Sequence, residues 1–397
     1  MKVLYTDAHS NAALVAIRSL GAKGIQVYAS DYRKSLGFYS KYTKGSFIYP
    51  SPLTEPTEFI EYILKKAETE GFEVVYPVHE FTTPLISKHK GEFPEGVKVA
   101  VPDFDILMLA HDKSRTEKYA KKAKIKYPKT VIPKTLDELD DISEKISYPA
   151  VVKPKSKVTW RDGKASVVKV TRDCIAQDKK HLIEAYQKIH ERSSFPLIQE
   201  YIEGIGYGVS ALVKDGNPKA AFVHKRLREY PTTGGASTLR VSVKDDNLME
   251  TGLSLLENMK WDGLAMAEFK VTTEGEPVLM EVNGRFWGSI ALAVAAGVDF
   301  PYLYHKMLCE GDVEEVFDYK ENVMCRWLIP LDIMQYIAKL RQGDIVDSTR
   351  DFFKFKNIKD DIISADDPYP TVGAVMDCVN YAVDVLSGKR RVSGETG

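Results

Sequence analysis

The sequence predicts a mixed α/β protein built from more than one domain. Three observations carry this. Strand-like and helix-like segments alternate over residues 1–110, the pattern of a parallel sheet with crossover helices. A later hairpin turns at Gly275 between two strand-like runs, Ala265-Met266-Ala267-Glu268-Phe269-Lys270 and Glu281-Val282-Asn283, which argues for antiparallel pairing there. The chain has 397 residues, more than one ordinary core accommodates. Apolar residues make up 44% and charged residues 28%, the balance of a globular protein. The formal net charge of -1 supplies no field toward nucleic acid or an anionic membrane, and no run approaches the roughly 20 apolar residues of a membrane span.

In chain order, residues 2–6 read as a strand, 12–20 as a helix, 26–29 as a strand, 58–70 as a helix and 73–78 as a strand, with another strand inside 97–102. The N-terminus therefore begins a strand rather than a signal peptide. Three polar clusters fall at strand ends, where ligands of parallel sheets sit: Asp7-Ala8-His9-Ser10-Asn11, Asp31 with Arg33, and His79-Glu80. No GxGxxG follows the first strand, which argues against a dinucleotide site. Residues 112–126 read as a helix with Asp112 as N-cap, and 136–146 as another. Pro149 opens the strand Ala150-Val151-Val152-Lys153, and Gln199-Glu200-Tyr201-Ile202 leads to a strand at 207–213. Residues 226–240 are rich in Gly, Thr and Pro and read as a long loop. Helices follow at 248–259, at 290–296 closed by Gly297, and at 372–386, with a polar tail at 388–397.

Several residues could carry chemistry. Glu281 and Asn283 lie two apart on a strand and share a face. Pairing across the turn would bring in Glu268. Two carboxylates and an amide oxygen followed by Arg285 suit a hard divalent cation bridging phosphates; the same residues also suit solvated hairpin charges, and the hairpin alone does not choose. Lys153 closes a β-branched strand, as a phosphate-addressing lysine does. Lys113 sits in a helix's first turn, where the dipole favours anions, so a bound anion would explain it. The 226–240 loop offers Arg226, Arg228 and Arg240 with Gly234, Gly235 and the hydroxyls of Thr232, Thr233, Ser237 and Thr238, a set able to clamp a carboxylate or phosphate. Cys174, Cys309, Cys325 and Cys378 form no CxxC and no zinc spacing, which fits free thiols in a reducing cytoplasm. The eight histidines show no HxxxH or HxH cluster. No P-loop and no GxSxG is present.

Taken in order, Asp112-Lys113, Pro149-Ala150-Val151-Val152-Lys153, the 199–204 segment, Glu268 and Glu281-Val282-Asn283-Gly284-Arg285 resemble the functional elements of the ATP-grasp superfamily. Arg18-Ser19-Leu20-Gly21, the 225–235 segment, Arg285-Phe286-Trp287-Gly288-Ser289 and Asp367-Pro368 look similar to its carbamoyl-phosphate-synthase-like, carboxylate–amine ligase branch.

The resemblance implies an ATP-grasp fold with an N-terminal Rossmann-like pre-ATP-grasp domain at 1–110. An ATP-grasp domain would span 111–310, divided into a lid at about 127–200 and a larger part at about 201–310, with a C-terminal extension at 311–397. It implies an ADP-forming ligase that phosphorylates a small carboxylate for attack by an amine. Lys113 and Lys153 would touch ATP phosphates, and Gln199, Glu200, Ile202 and Glu203 would form the nucleotide hinge. Glu268, Glu281 and Asn283 would hold two magnesium ions, with manganese as an alternative. Arg285 and Arg240 would be catalytic; His9, Glu80, Arg226, Arg228, Gly234, Gly235 and Ser237 would face the substrate. No nucleic-acid or membrane partner is implied, and a homodimer is compatible with the fold.

The chain departs from the family pattern in three places. The hinge begins with Gln199 rather than Glu. The acidic residue that takes the ribose hydroxyls would fall at Gly206. The phosphate-covering segment 155–166 is basic, with Lys155, Lys157 and Arg161 and only Gly163. Two other functions stay open at this point: a nucleotide-binding regulatory protein without turnover, and a bicarbonate-phosphorylating carboxylase or carbamoylase.

Overall fold

The computed structural model describes residues 1–161, 164–168, 170–232 and 234–387. Gly163, Thr233 and the tail at 388–397 therefore lie outside the described residues.

The first sheet has the order β3-β2-β1-β4-β5, all parallel. Its strands are β1 (Lys2–Tyr5), β2 (Gln26–Asp31), β3 (Thr43–Ile48), β4 (Val74–Tyr76) and β5 (Lys98–Val99). Val3, Leu4 and Tyr5 are fully buried, as an uninterrupted apolar run in a central parallel strand should be. Helix α1 (Asn11–Gly21) starts on Ser10, whose hydroxyl accepts from the Ala12 N–H at 3.2 Å, a side-chain N-cap. Helices α2 (Pro56–Glu70), α3 (Thr82–Lys88) and α4 (Phe104–His111) complete the crossovers. Strand order reverses between β1 and β4, so the crevice beyond their carboxyl ends is the natural ligand position. Asp7 follows β1 there and His79-Glu80 follows β4.

Helix α5 (Lys113–Lys122) is capped by Asp112, which accepts from the Ser114 N–H at 2.9 Å. The predicted cap is present, but the helix stops four residues short of the expected end, and Lys124 takes a φ of 58°. A small antiparallel sheet, β10-β7-β11-β6, comes next. It contains β6 (Thr130–Val131), β7 (Ala150–Lys153), β10 (Ile175–Ala176) and β11 (Leu197–Glu200), backed by α6 (Glu138–Lys145) and α7 (Lys179–His190). Strands β8 (Val158–Arg161) and β9 (Lys164–Val167) form a separate hairpin.

The third sheet has seven strands, β16-β15-β12-β13-β14-β17-β18. They are β12 (Ile205–Lys214), β13 (Asn217–Tyr230), β14 (Ala236–Ser242), β15 (Gly263–Val271), β16 (Pro277–Asn283), β17 (Met324–Arg326) and β18 (Ile358–Asp360). The expected long loop at 226–240 is corrected here. Strand β13 runs to Tyr230 and pairs with β14 around a short turn, because alternating polar side chains leave the backbone free to ladder while one face stays in the cleft. Helices α8 (Asp246–Asn258), α9 (Ile290–Ala296) and α10 (Phe300–Glu310) pack against these layers. Gly297 ends α9 with a φ of 114°, which a glycine C-cap adopts without steric cost.

The last segment adds β17 and β18 to the third sheet, with α11 (Ile333–Arg341), α12 (Val346–Phe352) and α13 (Tyr369–Leu386). It is tied to the first sheet through Arg18. That guanidinium donates to the Asp367 carboxylate at 2.9 Å and to the carbonyls of Ile362 and Asp367 at 2.8 Å each. Two segments far apart in sequence, Arg18-Ser19-Leu20-Gly21 and Asp367-Pro368, are thus one contact.

Candidate active site

A cleft of about 570 Å³ separates the small sheet from the seven-stranded one. Its floor is set by strand register. Glu281 lies opposite Glu268 between β16 and β15, Glu268 opposite Gly208 of β12, and Gly208 opposite His224 of β13. One row across the sheet therefore runs Glu281, Glu268, Gly208, His224 on one face. The glycines at 206 and 208 make room for their neighbours. A Cβ at Gly208 would come within 2.3 Å of the His224 ring, and one at Gly206 within 2.8 Å of Glu229 Oε1.

The acidic pair is densely partnered. Glu281 accepts from Lys157 Nζ at 2.6 Å and lies 3.6 Å from Lys113 Nζ. Burial alone would raise its pKa, but these two ammonium groups override burial and hold it at about 2. Glu268 accepts from Asn283 Nδ2 at 2.8 Å and from the Arg226 guanidinium at 2.5 Å. Asn283 Oδ1 accepts from Arg285 at 3.3 Å, and Arg285 pairs with Glu80 at 3.0 Å. Burial would raise Glu80 too, yet Lys157 and Arg285 keep it well below the usual carboxylate range. His111 lines the adjoining recess with Lys113, Lys157 and Glu281. Burial pushes it down to about 4, against the opposing pull of Glu80, so it is neutral at pH 7.

The opposite wall carries Lys153, whose Nζ donates to Gln199 Oε1 at 2.8 Å; Gln199 in turn donates to the Thr130 hydroxyl at 2.9 Å. Among the described residues Lys153 Nζ has only this neutral partner. Burial and the nearby Lys113 charge push it down to about 8. Glu200 is held by the Lys129 N–H at 2.9 Å, and the Ile202 carbonyl accepts from Lys270 Nζ at 2.7 Å. Both residues line the cleft, and the Ile202 N–H has no hydrogen-bond partner among the described residues.

Of the sequence-derived candidates, Lys113, Lys153, Glu200, Ile202, Glu268, Glu281, Asn283, Arg285, Glu80, Arg226, Gly234, Gly235 and Ser237 line this cleft. Gln199 is buried behind it, 1% exposed, and orients Lys153. Four others stand elsewhere. Arg240 is wholly buried against Asp361 at 2.5 Å, because its strand position turns it under the C-terminal segment. Arg228 pairs with buried Asp332 at 2.9 Å. Glu203 is exposed past the hinge. His9 is hydrogen-bonded to Asp31 at 2.9 Å and sits behind His79, ring centroids 5.3 Å apart, so His79 is the histidine that reaches the cleft. Sequence reasoning assigned no role to Glu229, Lys270, His111 or Trp327. The first two lie on strands whose pairing partners a single sequence does not display.

The donor set can be tested for a cation. Among the described residues no three His, Cys, Asp or Glu side chains converge on one point. The protein offers two facing carboxylates and one amide oxygen, which suits an oxygen-seeking cation that takes its remaining ligands from phosphate and water.

The chain has the ATP-grasp fold, with a cleft between its small sheet and its seven-stranded one. Residues 192–329 match the family model described as ATP-grasp in the biosynthetic pathway with Ter operon. The chain is 24% identical to the carbamoyl phosphate synthase large chain of Pyrococcus furiosus over 200 residues, half of this chain; the match spans only 18% of that protein's length. Among solved structures it is similar to a biotin carboxylase–ATP complex from Campylobacter jejuni, with a TM-score of 0.64, 17% identity, and 81% of this chain and 74% of that one covered. It is also similar to the L-amino acid ligase of Bacillus licheniformis, with a TM-score of 0.60, 16% identity, and 77% and 73% covered. No helix among the described residues is long and apolar enough to cross a membrane.

Proposed function

We propose that this protein is an ATP- and magnesium-dependent ligase that activates a small carboxylate as an acyl phosphate for attack by an amine. The observation that carries this reading is the facing pair Glu268 and Glu281 in one cleft with Lys113, Lys153, Lys157 and Arg285. Adenine meets the Ile202 N–H and the backbone at Glu200. The ribose hydroxyls meet Glu229, whose carboxylate stands where a side chain at Gly206 would begin. Lys113, Lys153 and Lys157 receive the phosphates, as point charges that tolerate the shifting geometry of a transferring group. Glu268, Glu281 and Asn283 would hold magnesium, two ions by family resemblance, which when bound would neutralise charge developing on the phosphates. Arg285, already oriented by Glu80 and Asn283, presents its guanidinium to the phosphoryl in flight. The C–N bond forms as the acyl–oxygen bond to phosphate breaks. Arg226, Gly234, Gly235, Ser237 and Glu80 shape the pocket for the carboxylate. The names of similar proteins, an amino acid ligase and a carboxylase among them, support this reaction class.

The test is purified protein with ATP, magnesium and a panel of amino acids and small acids. At least one combination should release ADP and phosphate, and Glu281→Gln should abolish that release and weaken magnesium-dependent nucleotide binding. The proposal fails if no member of the panel elicits ADP and phosphate and Glu281→Gln leaves nucleotide affinity unchanged.

A further inference from the structure

We propose that His79 is a catalytic residue of this cleft, whose imidazole takes the proton from the attacking amine and hands it to the departing phosphate. The assignment rests on the ligase reading above. It starts from a contrast within one residue. The backbone of His79 is held through both its N–H and its carbonyl. Asp7, 1% exposed at the end of β1 with a φ of 58°, accepts from the N–H groups of Val78 and His79 at 3.2 and 3.0 Å and from the Thr82 hydroxyl at 2.5 Å. The His79 carbonyl accepts from the Thr83 hydroxyl at 2.7 Å. The ring, by contrast, is fixed by packing alone, its centroid 4.3 Å from that of Phe81 and 5.3 Å from that of His9. Neither ring nitrogen has a hydrogen-bond partner among the described residues, and Nδ1 is buried without one. A buried polar atom left unpaired costs free energy. On a rigid turn that faces a cleft, it marks a group whose partner is the reactant.

Position selects His79 among the histidines. His9 is committed to Asp31, and His224 meets the Ser289 hydroxyl at 3.2 Å. His111 lines the recess beside Lys113 and Glu281, on the side of the phosphates. His79 lines the cleft in the same turn as Glu80, and Glu80 holds Arg285, the guanidinium that faces the phosphoryl. Burial, the neighbouring His9 and the Arg285 charge keep the imidazole well below its ordinary pKa of 6.5, so it meets the substrate as a neutral base. The neutral amine attacks the acyl carbon. As the C–N bond forms, the nitrogen becomes positive and acidic, and His79 accepts one of its protons. The acyl–oxygen bond then breaks, its electron pair goes to the phosphate, and the imidazolium gives the proton to that oxygen. An amide and hydrogen phosphate are released and His79 is neutral again, so the step consumes no further reactant. A buried imidazolium gives up its proton readily, and the Glu80 carboxylate favours it while the proton is in transit.

The experiment separates making the acyl phosphate from consuming it. Purified protein with ATP, magnesium and the acid panel is given either an amine or hydroxylamine, a nucleophile that attacks acyl phosphates without enzymatic help. His79→Gln should lower amide formation about 100-fold, the contribution of a positioned proton carrier, at unchanged KM for ATP, and should form hydroxamate as the wild type does. Imidazole added to His79→Ala should restore amide formation, and should do nothing for His79→Gln, whose side chain fills the space. Calorimetry with a non-hydrolysable ATP analogue should give the wild-type affinity for both variants, which separates loss of chemistry from loss of fold. A wild type that forms neither amide nor hydroxamate overturns the ligase reading and this assignment together. A wild type that forms both, with His79→Gln losing both equally or neither, or with no imidazole rescue of His79→Ala, overturns the assignment and leaves the ligase reading standing. Hydroxamate without an amide from any amine likewise overturns the assignment.

Discussion

If Lys153 addresses a nucleotide phosphate, ATP affinity must fall as pH rises through about 8. In the free protein the Lys153 ammonium is held at about 8, against an ordinary 10.5, by burial and by Lys113. A bound phosphate favours the ammonium, so the pKa rises in the complex. Below pH 7 the lysine is charged in both states and affinity is at its full value. Above pH 8 the free protein has lost the proton, and binding must take one up. The gap between about 8 and 10.5 corresponds to about 3 kcal/mol, which partial exposure of the side chain reduces to about 2 kcal/mol, or roughly 30-fold in affinity. The assay is calorimetric titration with a non-hydrolysable ATP analogue and magnesium between pH 6.5 and 9.5, in buffers of different ionisation enthalpy. The wild type should show proton uptake near pH 8.5 and a dissociation constant that climbs over this range. Lys153→Met should bind more weakly at pH 7 and show a flatter profile. Equal slopes in wild type and variant would refute the assignment, as would wild-type affinity that does not change above pH 8.

Two further expectations follow from the same geometry. Glu229→Gln should weaken ATP binding by about tenfold, the value of a hydrogen bond to a charged group, and leave 2′,3′-dideoxy-ATP binding unchanged; equal losses for both ligands would remove Glu229 from the ribose. Arg240→Met should destabilise the fold by about 1 kcal/mol at pH 7 and more at higher pH, because it strands the buried Asp361 carboxylate, whose protonation limits the loss to about 1.4 kcal/mol per pH unit. Burial already raises Asp361 to about 6 with Arg240 opposing it. Without that guanidinium the carboxyl rises further, so the penalty is small at pH 5, where Asp361 is protonated in both folded proteins, and builds as pH climbs above about 6. Urea midpoints at pH 5 and 7.5 should show this narrowing; a penalty that is constant or larger at pH 5 would show that the ion pair is not the cause.

The parts of the site that were legible in the sequence are those carried by local pattern. Asp112 caps its helix, Lys153 ends a β-branched strand, and Glu281 and Asn283 share a face by the two-residue period of a strand. The parts that were not legible depend on which strands pair and in what register. Arg240 reads like Arg226 in a single sequence, yet across the β13–β14 ladder the two are directly opposed, and only Arg226 reaches the cleft. The short strands β17 and β18, three residues each, are below the length at which alternation can be recognised, so the C-terminal segment read as helices alone.

Gly206 shows the same limit most clearly. In sequence it is a missing acid. In the sheet it is a gap, and the missing Cβ is what allows Arg226 and Glu229 of the neighbouring strand to fold across β12. Glu229 donates its charge to this space while Arg226 holds it at 3.2 Å and reaches on to Glu268. A side chain at Gly206 would exclude both. The carboxylate and the glycine are therefore one device written at two positions: the acid that we propose for the ribose stands on a neighbouring strand across the ladder, where only the register reveals it.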